Sequence, residues 1–453
     1  MPTTRRRLHP AWPVAAVAFI ALLAAAGFRA APGALMVPLH ADFGWSMSTM
    51  SLAVSVNLLL YGLTAPFAAA LMDRFGIRQV VAAALALVAL GAGGSVVMTA
   101  SWQLLIFWGV LIGLGTGSMA LVFAATIADR WFVARRGLVM GILTAGSATG
   151  QLIFLPPVAT IAESTGWRPA SLLIGIVALA AVPLVWFFLR DHPSDRGVLP
   201  YGATEADVAP ATEWDATTAE RDSAVIAADA QQGETPAPRG EGAARRAFTG
   251  LLSAARHRSF WALAIAFAIC GATTNGLIGI HFIPSAHDHG MPAATAADLL
   301  AVVGIFDIVG TIFSGWLTDR FDPRILLVAY YTFRGLGLLL LPWLLSDSVH
   351  PTMVLFIVIY GLDWVATVPP TAALCREIFG ENGTIVFGWV FAAHQIGAAA
   401  AAFGAGVVRD AFGEYTYAWC GGAAMCVIAA VLSFAVRRRR IGTATATPAE
   451  VAP

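Results

Sequence analysis

The chain contains no lysine, and all 27 of its basic residues are arginine. That absence removes every mechanism built on a lysine amine, from a Schiff-base lysine to the lysine of a Walker loop. Charge of either sign is scarce, at 12% of residues, where ordinary soluble domains carry about a quarter. The four cysteines, Cys270, Cys375, Cys420 and Cys426, lie in or beside apolar runs without Cys-x-x-Cys spacing. They indicate neither a disulfide framework nor a zinc site and read as small packing residues. Gly113-Leu-Gly115-Thr-Gly117 is no nucleotide loop, because it sits inside an apolar run with no strand before it. His287-Asp288-His289 supplies too few ligands for a metal. No catalytic constellation is visible, so the chain reads as a non-enzyme with no metal, cofactor or nucleic-acid partner.

What the chain has instead is apolar length. Hydrophobic residues make up 58%, gathered into runs of about 20, each long enough to cross a hydrocarbon core as a helix. Spans are expected near 12–36, 47–71, 78–99, 102–128, 137–161, 168–189, 259–284, 295–318, 325–345, 351–375, 383–408 and 415–436. The first run follows Arg5 to Arg7 and has the outline of a secretory leader. Removing it would leave an odd number of spans and break the repeat described below, so it reads as the first span. Twelve spans place both ends on one side. The arginines of the N-terminus, Arg74 and Arg78, Arg130, Arg135 and Arg136, Arg320 and Arg324, and Arg437 to Arg440 fall on alternate loops of that side. The opposite loops carry only Arg168 and Arg409, so the positive-inside rule assigns both termini to the cytoplasm of an inner membrane.

The composition divides the chain into a six-span bundle over 1–190, a linker over 191–257, a second bundle over 258–437 and a tail over 438–453. The linker is rich in Ala, Asp, Glu, Thr, Gly and Pro and cannot bury enough apolar surface to fold alone. At its end Phe248, Leu251 and Leu252 recur at helical intervals among Arg245, Arg246, Arg256 and Arg258. That pattern suits either a short amphipathic helix on an anionic leaflet or a solvated linker end.

An internal repeat organises the two bundles. Asp73-Arg74-Phe75-Gly76-Ile77-Arg78 after the second span matches Asp319-Arg320-Phe321-Asp322-Pro323-Arg324 after the eighth, displaced by 246 positions. The same offset pairs Gly33 with Gly279, Pro38 with Pro284, Gly115 with Gly361, Arg130 with Arg376 and Gly137 with Gly383. Six spans per half give parallel repeats about an axis along the membrane normal, with a site at their interface near mid-depth.

The motif D-R-x-G-x-R at Asp73 to Arg78 and its degenerate copy at Asp319 to Arg324 make the chain resemble the major facilitator superfamily over nearly its whole length. The expected fold is therefore an all-α membrane protein, with twelve transmembrane helices in two six-helix pseudo-symmetric bundles. The resemblance implies alternating access and a gate latch made by Asp73, Arg74, Arg78, Asp319, Arg320 and Arg324. Asp73 would meet the positive end of another helix, and the arginines would meet acidic groups or headgroups. Within the superfamily the chain is similar to monocarboxylate porters and the oxalate:formate antiporter group. That likeness rests on Arg29-x-x-x-Gly33 with Pro38 and Phe43-Gly44-Trp45-Ser46, on Trp131-Phe132 with Arg135-Arg136-Gly137, and on Phe306-Asp307. It departs from those groups in lacking lysine and in having Thr311 one turn after Asp307, where the porters tend to have Arg.

Ionisable groups at membrane depth are costly and are site candidates by default. Spans one and seven line the central cavity in the superfamily, so the resemblance implies that Arg29 and its repeat equivalent Asn275 face each other across it as substrate anchors; the alternative is that Arg29 snorkels to the periplasmic headgroups. Asp307 is expected to carry a proton, with Asp363 as the partner of Arg334. Asn57, Tyr61, Gln151, His394 and Gln395 are expected to supply neutral polar contacts. The resulting expectation is a monomeric, proton-coupled carrier of a small organic anion, monocarboxylate-like, embedded in the lipid bilayer. The alternative is an exporter of drugs or lipophilic metabolites with the same fold.

Overall fold

The structure, a computed structural model, describes residues 9–119, 121–203 and 243–437. The side chains of Arg136, Gln151 and Arg246, residues 204–242 of the central linker and the tail after Arg437 lie outside the described residues. The first bundle comprises α1 (Ala11–Phe43), α2 (Met47–Phe75), α3 (Ile77–Ser95), α4 (Ser101–Trp131), α5 (Arg136–Ser164) and α6 (Trp167–Phe188). The second comprises α7 (Arg258–Asp288), α8 (Ala293–Thr318), α9 (Pro323–Leu344), α10 (Pro351–Phe379), α11 (Gly383–Phe412) and α12 (Thr416–Ala435). Among the described residues eleven of these are long and apolar enough to span a membrane. The twelfth, α5, is a 29-residue helix.

The packing repeats the sequence symmetry. Helix α1 packs on α5, α2 on α4 and α3 on α6, and the second half repeats this as α7 on α11, α8 on α10 and α9 on α12. The halves meet along α2 against α11 and α5 against α8, and α1 also packs on α7. Without a hydrophobic drive between helices in lipid, close packing depends on small residues. Gly113 and Gly117 of α4 rest on the backbone of Asn57 and Tyr61 in α2. In the other half, Gly310 of α8 lies against the carbonyl of Leu362 and Gly361 of α10 against that of Val303.

Two spans contain π-helical stretches, Leu105–Ile112 in α4 and Ala272–Ile278 in α7. Such a stretch leaves a carbonyl without its usual partner, and a neighbouring helix supplies one in each case. Asn57 Nδ2 donates to the Trp108 carbonyl at 2.7 Å, and Tyr360 donates to the Thr273 carbonyl at 2.8 Å.

Helix α10 is broken at mid-length, with α-helix over Pro351–Asp363 and Val368–Phe379 and turns between. Pro369 and Pro370 cause the break, since neither can donate back to the preceding turn. Side chains from α8 and α9 satisfy the released groups. Asp307 Oδ1 accepts from the Val365 N–H at 3.1 Å, Ser314 donates to the Ala366 carbonyl at 2.5 Å, and Arg334 Nη2 donates to the Asp363 carbonyl at 2.6 Å.

Outside the spans, Ala243–Ala254 forms a helix that packs on both α2 and α11.

Candidate functional site

The sequence-nominated polar groups fall into three sets. The first crosses the junction of the bundles. Arg29 of α1 is half-buried and donates through Nη1 to the Tyr61 hydroxyl of α2 at 3.0 Å. The Tyr61 ring lies 6.5 Å from Phe391 of α11, which stacks on His394 at 5.7 Å. His394 in turn contacts Asn275 of α7 at 3.4 Å. Arg29 and Asn275 thus belong to one run of contacts from α1 to α7. Phe154 of α5 adds an aromatic wall, its ring 3.2 Å from where a Cβ on Gly27 would stand.

His394 is held on both ring nitrogens. Nδ1 lies 3.2 Å from the Phe267 carbonyl, a contact that needs the proton on Nδ1 and leaves Nε2 to accept from Asn275. Both contacts are complete with the imidazole neutral.

The second set is a buried cluster in the second bundle. Arg334 Nε pairs with Asp363 Oδ2 at 2.6 Å, with Arg334 1% and Asp363 5% exposed. Arg334 Nη1 also donates to Cys270 Sγ at 2.9 Å, so Cys270 is a hydrogen-bond acceptor and not merely a packing residue. Asp307 does not pair with Arg334. It accepts from the Val365 backbone and from Thr311 at 3.1 Å. Asp363 Oδ1 is buried without a hydrogen-bond partner among the described residues.

The third set is the repeated turn. Asp73 does not meet a helix end as expected but pairs with Arg130 at 2.5 Å. The N-terminus of α3 is instead met by Asp191, whose Oδ1 accepts from the Arg78 N–H at 3.0 Å. A side chain at Gly76 would collide with that carboxylate at 2.6 Å, and Gly76 also adopts φ 84°. In the second copy Asp322 replaces this glycine and accepts from the Arg324 N–H at 2.9 Å. One turn is therefore capped from a distant loop and its twin from within. Arg74 lies over Phe75, Arg78 over Trp186 and Arg320 over Trp316, while Arg324 pairs with Asp322 at 2.7 Å. Of the acidic groups or headgroups expected for these arginines, Arg324 meets an acidic group in Asp322, while Arg74, Arg78 and Arg320 lie over aromatic rings. Asp319 and Arg376, the repeat equivalents of Asp73 and Arg130, both line a cavity of about 440 Å³ between α8, α10 and α11.

Two nominated residues are placed elsewhere. Asn57 is 5% exposed and directed at the α4 carbonyl, because the π-helical stretch demands a donor there, so it does not face the Arg29 set. Gln395 is 2% exposed, and its Cβ and Cγ lie where Gly62 has no side chain, on the α2–α11 seam. The side chain of Gln151 lies outside the described residues.

Sequence reasoning missed the contacts that close the face opposite the termini. Asp410 of α11 accepts from the backbone N–H groups of Met47 and Ser48 at the start of α2, at 3.0 and 2.7 Å. Glu163 of α5 accepts from the Ala294 N–H at the start of α8, at 3.3 Å. Ser48 and Ala294 are separated by the repeat offset of 246, a signal the sequence did contain. On the same face Gly33 sits where a Cβ would be 2.9 Å from the Ile280 carbonyl. The two arginines of that face are paired, Arg168 with Asp42 at 2.8 Å and Arg409 with Asp288 at 2.7 Å.

Two pseudo-symmetric helical bundles sealed at one face, with ionisable groups at the junction, define a multi-pass membrane transporter of small molecules. The chain belongs to the Major Facilitator Superfamily, whose model matches residues 17–385 and 269–453. It is 25% identical to the uncharacterized MFS-type transporter YcxA of Bacillus subtilis, over 93% of each chain. It is 27% identical to monocarboxylate transporter 13 of Rattus norvegicus, covering 89% of this chain and 84% of that protein. Monocarboxylate transporter 11 of Homo sapiens is 26% identical, with 89% and 78% covered. The fold is similar to a crystal structure of a bacterial homolog of the human lysosomal transporter Spinster, in an inward-facing and unoccupied conformation. That match has a TM-score of 0.69 at 15% identity and covers 95% of this chain and 97% of that one. By this family membership the chain is a transporter and not an enzyme.

Proposed function

We propose that the protein carries a small organic anion of the monocarboxylate kind by alternating access between its halves, coupled to protons. The observation that carries this reading is the run from Arg29 through Tyr61, Phe391 and His394 to Asn275. It places a guanidinium at one end of an aromatic wall and an amide at the other, and it joins both bundles. A guanidinium has five donors in a planar fork suited to a carboxylate, and Tyr61 orients that fork. An anion held between α1 and α7 would touch both moving bodies, as alternating access requires. The likeness to monocarboxylate transporters 11 and 13 supports the substrate class.

The coupling proton is assigned to Asp307. It is 7% exposed and holds a backbone N–H in the break of α10, so its protonation would loosen a joint in the second bundle. Asp363 stays charged against Arg334. In this reading the bundles occupy 1–190 and 258–437, the monomer suffices, and both termini face the cytoplasm of the inner membrane, as the arginine distribution indicates. The aromatic lining of Tyr61, Phe154 and Phe391 favours a second reading, export of lipophilic compounds, in which Arg29 serves packing.

Uptake of labelled lactate, pyruvate, oxalate and formate into proteoliposomes, with and without an inward proton gradient, tests the proposal. Gradient-driven uptake of one anion, lost in Arg29→Ala with the fold intact, supports it. No uptake of any of them, with efflux of lipophilic cations indifferent to Arg29, would replace it with the second reading.

A further inference from the structure

The helix Ala243–Ala254 carries two faces. Gly250 and Ala254 are buried, Gly250 so close to Ile385 of α11 that a Cβ there would stand 2.8 Å from Ile385 Cγ2, and Leu251 packs into the main core. This side seats the helix across the ends of α2 and α11, one from each half. On the other side Phe248 and Leu252, one turn apart, are 55% and 53% exposed. Trp261, just beyond, is 53% exposed with its Nε1 donating to the Ala255 carbonyl at 2.8 Å.

Arginines gather around this apolar side. Arg256, Arg258 and Arg437 are exposed. Arg437 arrives from the far end of the second bundle, where Ser259 Oγ donates to its carbonyl at 3.4 Å and Arg324 holds the neighbouring Val436 carbonyl at 3.3 Å. The sequence has no Asp or Glu between Ala243 and His287, and Arg438 to Arg440 follow Arg437 directly. Exposed Phe, Leu and Trp beside clustered arginines match an apolar layer topped by phosphates.

We propose that this surface docks on the anionic headgroups of the leaflet facing the termini, with Phe248, Leu252 and Trp261 entering the acyl boundary. Because the helix straddles α2 and α11, lipid binding there also holds the ends of the two halves at the separation seen in this structure. The proposal uses the membrane placement given above but not the substrate.

The test is amide hydrogen exchange of the intact protein in nanodiscs of phosphatidylcholine alone or with phosphatidylglycerol. Both leaflets have one composition in each, so the orientation of the chain does not affect the comparison. Exchange over 245–254 is expected to slow about tenfold with phosphatidylglycerol and to lose that slowing in R256Q/R258Q/R437Q or in high salt. The phosphatidylcholine baseline of the triple variant should match wild type. Equal exchange in the two lipids, or slowing that survives the triple variant, would overturn the proposal. So would equal protection from soluble glycerol phosphate in phosphatidylcholine discs, which would point to a free anion.

Discussion

Asp410 and Ser48 are 362 positions apart, yet the carboxylate of the first accepts from the backbone N–H of the second at 2.7 Å, pinning the end of α11 to the start of α2. The contact places a negative charge on unsatisfied N–H groups at the positive end of a helix. Glu163 makes the equivalent contact to α8.

Asp410→Ala should therefore favour opening of the face opposite the termini. A charge-assisted bond is worth about 1.5–3 kcal/mol, and because Asp410 is exposed the low end applies, so the open population should rise roughly tenfold. Maleimide modification of Ser55→Cys in a Cys420→Ala background reads this, because Ser55 lies on the same seam, bonded to the Ala399 carbonyl at 2.7 Å. An unchanged modification rate would deny the latch a role in closure.

The Arg334–Asp363 pair has a cost that appears when one partner is removed. Arg334→Met alone should destabilise the protein by about 3–5 kcal/mol by leaving a buried carboxylate uncompensated. Adding Asp363→Leu should recover part of that loss. It should not recover all, because Arg334 also donates to the carbonyls of Asp363 and Trp364 in the break of α10. Thermal unfolding of the single and double variants distinguishes these contributions, and full recovery would mean that the break needs no donor.

Asp307→Asn keeps an oxygen able to accept from the Val365 N–H but can no longer bind a proton. The fold and anion exchange should persist while gradient-driven accumulation disappears. Asp307→Ala should lose stability as well, by about 1–3 kcal/mol for an orphaned buried donor. Gradient-driven uptake by the Asn variant would exclude Asp307 as the proton carrier.

Tyr61→Phe removes the hydroxyl that holds Arg29 at 3.0 Å but leaves the ring on which the guanidinium rests, 5.4 Å from its centroid. A transported anion should show KM raised by roughly fivefold, the equivalent of about 1 kcal/mol of lost orientation, with little change in kcat. A kcat loss at constant KM would place Tyr61 in the conformational step.

The twelve spans were legible because hydropathy and length are properties of contiguous sequence, and observed bounds such as Met47–Phe75 extend the expected ones by a turn or less at most ends. The repeat was legible for the same reason. What escaped were partners chosen by folding. Asn57 reads as a cavity residue until the π-helical stretch of α4 shows which carbonyl it serves. Asp73 reads as a helix-end ligand until Asp191, more than a hundred positions later, takes that place. The break in α10 did have a local sign in Pro369-Pro370, since a proline pair cannot sit within a helix without freeing carbonyls. Which of Asp307, Ser314 and Arg334 would satisfy the freed groups depends on the rotation of α8 and α9, and no local pattern encodes that.

The missing lysine bears on the proton economy of the whole interior. Guanidinium groups keep their charge at every pH a cell encounters, so each internal cation here is a constant. Any proton taken up during a transport cycle must therefore rest on a carboxylate or an imidazole. His394 and His281 already spend their ring nitrogens on fixed neighbours, the Phe267 and Ala402 carbonyls among them. The bookkeeping of protons in this membrane interior thus narrows to a few acids set against an unchanging positive background.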